Sequence, residues 1–352
     1  MGSQTRDEKR SRGTGFYSKP PLDHAAMAEL LEARGLDLGD RERAERYLAR
    51  LGYFRLSPYM IPFHTGKGDH QFHNGTRFDE ILSLYVFDRK LRLLILDALE
   101  RIEVAVRAAT TDYMSVSYDD SHWYTDERLF RDPEGCRFLK RKLQRICQNK
   151  LEEADERERS LSNTPDRKVF YRSALEHYLL TYREPDLPPA WLAMELLTFG
   201  QLEKLVASLP NSDQTHIAQR LGITAPLLKS WLRVFLRVRN ICAHHGRLWN
   251  VGLGVSPAVP RRTRKKRAVP WPHRGGAVGS EPNATANLYS VVITIRVLLK
   301  TISPRSTWVQ RIETLVNAQP DYYRVGMGFP KDWEQDTFWQ KALASTPRNS
   351  QM

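Results

Sequence analysis

Three observations predict an all-α fold for this chain of 352 residues. Apolar residues recur with a 3.6-residue period along several long segments, no segment alternates as a strand does, and glycine and proline gather between the periodic stretches. Residues 1–19 are polar and charged and read as a disordered tail, leaving 20–345 as a single helical domain. Residues 22–50 form two short helices around the turn in ARGLDLGDRE, with Leu22, Met27, Leu30 and Leu31 giving the first its apolar side. The segment 46–63 is aromatic-rich. Pro58 and Pro62 limit regular structure there, and Tyr53, Phe54 and Tyr59 read as packing aromatics.

The strongest periodicity covers 77–114, a helix of about 50 Å that reads as the spine of the fold, and Thr76 with Asp79 fits a capping box. Residues 135–180 give one or two helices, interrupted near Ser160–Pro165. A proline-rich turn leads to helix 191–209, with a break at Phe199–Gly200. Helices Asp213–Leu221 and Ala225–Arg247 follow, then an exposed basic loop insertion at 252–282, closing helices near 284–302 and 305–318, and an aromatic tail containing GFPKDW.

Composition narrows the function. No apolar run approaches the roughly 18 residues of a membrane span, and no apolar core follows the charged N-terminus as in a secretory signal. Cys136, Cys147 and Cys242 are too few and too scattered for a disulfide framework or a zinc knuckle. The expectation is a soluble, cytoplasmic protein without membrane contact. Net charge is +13, and its distribution is uneven. From Gln214 to Ser280 there is no carboxylate, and that window holds 13 cations, so the rest of the chain sums to zero. Such a local positive potential attracts polyanions, RNA foremost. Arg233, Arg237, Arg247, Arg261, Arg262, Arg264, Lys265, Lys266 and Arg267 are the candidate phosphate contacts.

Taken as one helix, 226–250 divides into two faces. Trp231, Phe235, Val238, Cys242 and His245 fall within about 40° of one line, so His245 is expected buried, bonded and structural. Arg233, Arg237, Asn240, His244 and Arg247 lie at about 160–240°, and Arg239 on the flank at about 80°. That set suits RNA cleavage. Histidine titrates near neutrality and can move a proton to or from an oxygen. Arginine offers forked donors to phosphate oxygens, and Asn240 can hold the imidazole or a non-bridging oxygen. No carboxylate on this helix offers a hard ligand to magnesium, so neither metal nor cofactor is expected. Arg239 and His244 stand about 140° apart on an ideal helix. They converge only if Arg239 reaches around, the helix distorts, or a second subunit contributes.

The run RNICAHH resembles the R-x4-6-H signature of the HEPN superfamily, giving Arg239, Asn240 and His244, with His245 an allowed alternative. Together with LGYFRLSPYMIPF, FDEILSLYVFDRKLRLLILDALERIEVAVR, LTFGQLEKLV and GFPKDW, it resembles the bacterial Abi-like (AbiD/AbiF-type) abortive-infection proteins from about residue 22 to 340. The resemblance implies a HEPN-type helical bundle with additional N- and C-terminal helices. It implies a metal-independent endoribonuclease toxin in phage defence, with Arg239, Asn240 and His244 as motif residues and a homodimer sharing a composite site. The RRTRKKR loop departs from that pattern. The alternative is a non-catalytic protein holding a specific non-coding RNA in a ribonucleoprotein. Glu103 and Arg107 are spaced as an i,i+4 pair, a sufficient structural reason for both; a secondary role would have one of them orient the motif face.

Overall fold

The computed structural model describes residues 16–66, 68, 70–161, 172–261, 269–272 and 287–344. Among the described residues there are fourteen α-helices and no strand, only two isolated bridges, Asp37 with Arg77 and His64 with Phe72. The protein is all-α. No helix among the described residues is long and apolar enough to cross a membrane. The chain forms two compact units, Met1–Val86 and Phe87–Met352.

The first unit begins with α1 (His24–Ala33) and α2 (Arg41–Leu51), each capped by an aspartate: Asp23 accepts the Ala26 N–H at 2.8 Å and Asp40 the Arg43 N–H at 2.9 Å. α3 (Tyr53–Met60) corrects the expectation for the proline-rich stretch, because Pro58 lies inside it. Proline removes the N–H that the Phe54 carbonyl needs, and the Ser57 hydroxyl donates to that carbonyl instead, at 3.4 Å. Tyr59 is buried as expected, Tyr53 is half-buried, and Phe54 is 80% exposed, on the side of the helix away from Leu56 and Met60.

α4 (Phe78–Tyr118) starts in this unit and continues as the first helix of the second. Its cap is displaced from the expected one. The Arg77 N–H donates to the Glu80 carboxylate at 2.9 Å, the Thr76 hydroxyl donates to the His73 carbonyl, and Asp79 pairs with Arg43.

The second unit adds α5 (Pro133–Leu161), α6 (Ala174–Thr181), α7 (Ala190–Ala193), α8 (Phe199–Ser208), α9 (Asn211–Arg220) and α10 (Ala225–Ala243). It closes with α11 (Leu288–Ile302), α12 (Trp308–Asn317), α13 (Asp321–Met327) and α14 (Thr337–Ala344). The expected break at Phe199–Gly200 falls instead at Leu197–Thr198, where Thr198 and Gln201 form a capping box at the start of α8. α11 is mostly apolar and buried on every side from Leu288 through Leu299, as a helix at the centre of a bundle is, with Ser290, Thr294 and Arg296 its buried polar residues. Around its first turn Tyr289 meets Phe329, Trp333 and Trp339, and the Trp339 indole N–H donates to the Tyr289 hydroxyl at 3.0 Å. The GFPKDW block therefore supplies core aromatics.

Candidate nucleic-acid interface

α10 carries the candidate residues and is held from below. Leu228, Trp231, Leu232, Phe235, Val238 and Cys242 are buried, and the helix packs on α8, α9 and α11. It meets α8 at Gly200, where a Cβ would sit in ordinary contact, 3.6 Å, with both Leu236 methyl groups. α8 is positioned in turn by Arg107, which donates to the Leu197 carbonyl at 2.7 Å and to the Met194 carbonyl while pairing with Glu103. Glu103 and Arg107 thus anchor the turn before α8. No hydrogen bond joins them to Arg239, Asn240 or His244 among the described residues.

The basic segment also returns to α10. The Trp231 indole N–H donates to the Ala258 carbonyl and the Ala258 N–H to the Ser230 hydroxyl, both at 2.8 Å, while Trp231 and Trp271 face each other at 6.3 Å. Arg261 is exposed. Arg262, Arg264, Lys265, Lys266 and Arg267 lie outside the described residues.

Arg233 and Arg237 are exposed, Arg239 and Asn240 half-buried. Among the described residues, none of the three guanidinium groups has an ion pair or a hydrogen bond. Ion pairs with acids occupy many arginines elsewhere in the chain, such as Arg41 and Arg137. Within the acid-free window Gln214–Ser280, Arg220 does reach an acid, Asp112 of α4, and no neighbouring element among the described residues brings one to Arg233, Arg237 or Arg239.

The end of α10 overturns one expectation. The helix does not run to Arg247; it stops at Ala243. The Gly246 N–H donates to the Ile241 carbonyl at 2.8 Å and the His245 N–H to the Cys242 carbonyl at 3.1 Å, the paired bonds of a Schellman cap. His244 is the cap residue, and His245 takes the left-handed conformation at φ 57°, a position glycine usually fills. The chain therefore leaves the helical path one residue before His245, which is exposed rather than on the buried stripe. Gly246 was the available signal: a Cβ there would stand 3.2 Å from the Ile241 carbonyl oxygen. His244 is exposed, and among the described residues its ring has no hydrogen bond. The His244 N–H still makes the helical bond to the Asn240 carbonyl, at 3.0 Å, so the ring keeps roughly its expected 140° separation from Arg239.

A residue that sequence reasoning missed fixes this turn. Asp88 of α4 is fully buried, pairs with Arg92, and accepts the Trp249 N–H at 2.7 Å and the Leu248 N–H at 3.2 Å. Trp249 is locked further by its indole N–H donating to the Tyr323 carbonyl at 2.9 Å. Gly326 stands where a Cβ would lie 3.0 Å from that indole. Four residues beyond His244 the backbone is thus bound to a buried carboxylate, while the histidine itself stays at the surface.

Cys242, beneath the turn, has its thiol pushed up to about 12 by burial and is no nucleophile at neutral pH. Among the described residues no group of His, Cys, Asp and Glu could hold a metal ion. An exposed imidazole beside unpaired guanidinium groups can bind a phosphodiester and exchange a proton with it.

A family model described as Abi-like protein matches residues 46–250. No curated protein and no solved structure matches the chain.

Proposed function

This chain belongs to the Abi-like protein family, and from that premise we propose that it acts in abortive infection as a metal-independent endoribonuclease, with the Arg239–His244 turn as its reacting end. One observation carries the reading: Arg233, Arg237 and Arg239 lead, without an acidic partner among the described residues, to an exposed imidazole at the end of the same helix. The neutral His244 ring takes the proton of a ribose 2′-hydroxyl as that oxygen attacks the adjacent phosphorus. Arg239 and Asn240 hold the non-bridging oxygens of the phosphorane. The bond to the 5′-oxygen then breaks and that oxygen receives a proton from an imidazolium, leaving a 2′,3′-cyclic phosphate and a 5′-hydroxyl. Proton transfer at two oxygens is best served by two imidazoles, and a homodimer that brings two such turns together supplies them.

Purified protein should cleave single-stranded RNA in EDTA and leave cyclic-phosphate ends detectable by mass spectrometry. His244→Ala should slow cleavage about 100-fold or more with the melting temperature unchanged. Cleavage abolished by EDTA, or full activity in the variant, rejects the mechanism.

A second reading is favoured by one specific observation, the lack of any group among the described residues that orients the His244 ring. In that reading the helix arginines hold a discrete non-coding RNA without cutting it. One defined RNA then co-purifies with the wild type and with His244→Ala alike. Sequencing the RNA bound to each protein separates the two readings.

A further inference from the structure

Buried charges in folded proteins are paired, and Arg296 on α11 is an exception. It is 6% exposed, its Nε has no hydrogen-bond partner, and among the described residues its guanidinium makes neither a hydrogen bond nor an ion pair. It lies instead over the Phe338 ring, 3.7 Å from the centroid, and 5.6 Å from that of Trp339. A cation–π contact returns only part of what desolvating an ion costs. Burial pushes this guanidinium down to about 10, which leaves it charged at neutral pH. Asp336 opposes that shift, but one of its carboxylate oxygens accepts the Phe338 N–H at 2.8 Å and so caps α14.

Arg296 lines a cavity of about 400 Å³, within the range of small-molecule sites. Lys300 and Lys341 stand exposed on its rim, Ser303 and Ser306 add hydroxyl groups, and Trp271 with other apolar side chains forms the wall. The first turns of α12 and α14 also border it, and no carboxylate does so among the described residues. Three cations around one space whose described lining holds no carboxylate call for a multiply charged anion. The apolar wall and the volume call for a flat body attached to that anion, since a bare phosphate leaves most of the cavity empty.

We propose that this cavity binds a nucleoside phosphate, its phosphate on Arg296, Lys300 and Lys341 and its base against the Trp271 side. The ligand is either a free mononucleotide or the terminal nucleotide of an RNA strand, which share this chemistry. The site is built from α11, α12 and α14 and does not involve His244, so it stands or falls separately from the ribonuclease reading.

Calorimetric titration of the full chain with AMP, GMP, adenosine, inorganic phosphate and a short RNA ending in a 3′-phosphate tests it. A mononucleotide should bind at least tenfold more tightly than adenosine or inorganic phosphate. Competition by the RNA identifies a strand end as the source, and its failure to compete identifies a free nucleotide. Arg296→Met should weaken nucleotide binding at least tenfold while the melting temperature holds or rises, because an unpaired buried ion is removed. Should that variant fail to fold, Lys300→Ala/Lys341→Ala at the exposed rim decides, with the same loss of affinity and no change in melting. Absence of nucleotide binding by the wild type, equal binding of adenosine, or undiminished binding in the folded variants overturns the proposal.

Discussion

Asp88 holds two backbone N–H groups and pairs with the Arg92 guanidinium in the interior, so its removal takes the acid from a buried cation and the acceptor from two donors. Asp88→Ala should cost about 3–5 kcal/mol, the range seen when one partner of a buried pair is deleted, read as a lower urea midpoint. RNA cleavage should fall with it, since Leu248 and Trp249 fix the chain just past His244. A variant with unaltered stability would show that the pair is dispensable. Little of this was legible in the sequence. Asp88 reads there as an ordinary helix acid four residues from an arginine, because its distant partners are backbone groups, at Leu248 and Trp249, with no side-chain signature. Arg107 was hidden in the same way, its carbonyl partners at Met194 and Leu197 being invisible to residue type. Arg233, Arg237, Arg239 and His244 were legible, because charge and exposure follow from residue type and helical period.

At the scale of the helix, bodies were easier to read than ends. A period of 3.6 sums over many residues, whereas a cap depends on a few dihedral angles. In TRFDE the helix starts one residue later than Thr76 with Asp79 implied, and the Arg77 N–H donates to the Glu80 carboxylate. At α10 the expected buried stripe continued through His245 although the helix had already ended at Ala243. The end of α13 shows what such a cap is worth. Gly328 is left-handed at φ 79°, and a Cβ there would meet the Asn287 side chain, which caps α11 by accepting the Ser290 N–H at 3.1 Å. Gly328→Ala should therefore combine backbone strain of about 1–2 kcal/mol with partial loss of a cap worth about 1 kcal/mol. The check is thermal unfolding, and a loss below the strain alone would mean that α11 shifts to make room.

For the whole molecule, the positive excess gathered in Gln214–Ser280 predicts RNA affinity that falls at least tenfold between about 50 and 200 mM salt, read by fluorescence anisotropy. A flat response would place binding on uncharged contacts. Stability should also fall at high pH. Burial raises the Cys242 thiol to about 12 from 9.0 and the Tyr289 hydroxyl to about 12 from 10.0, so both stay protonated when folded and ionise earlier when unfolded. Their contribution is complete below pH 9 and is lost as pH climbs toward 12, which urea titrations across that window would reveal. The central place of α11 bears on how the protein is made. The stretch shared with the family stops at 250, yet the helix that fills the interior starts at Leu288. A ribosome therefore finishes every motif residue before it makes the support beneath them. A nonsense codon anywhere between Asn250 and Leu288 yields a polypeptide with Arg239, Asn240 and His244 but without α11, one of the helices on which α10 packs.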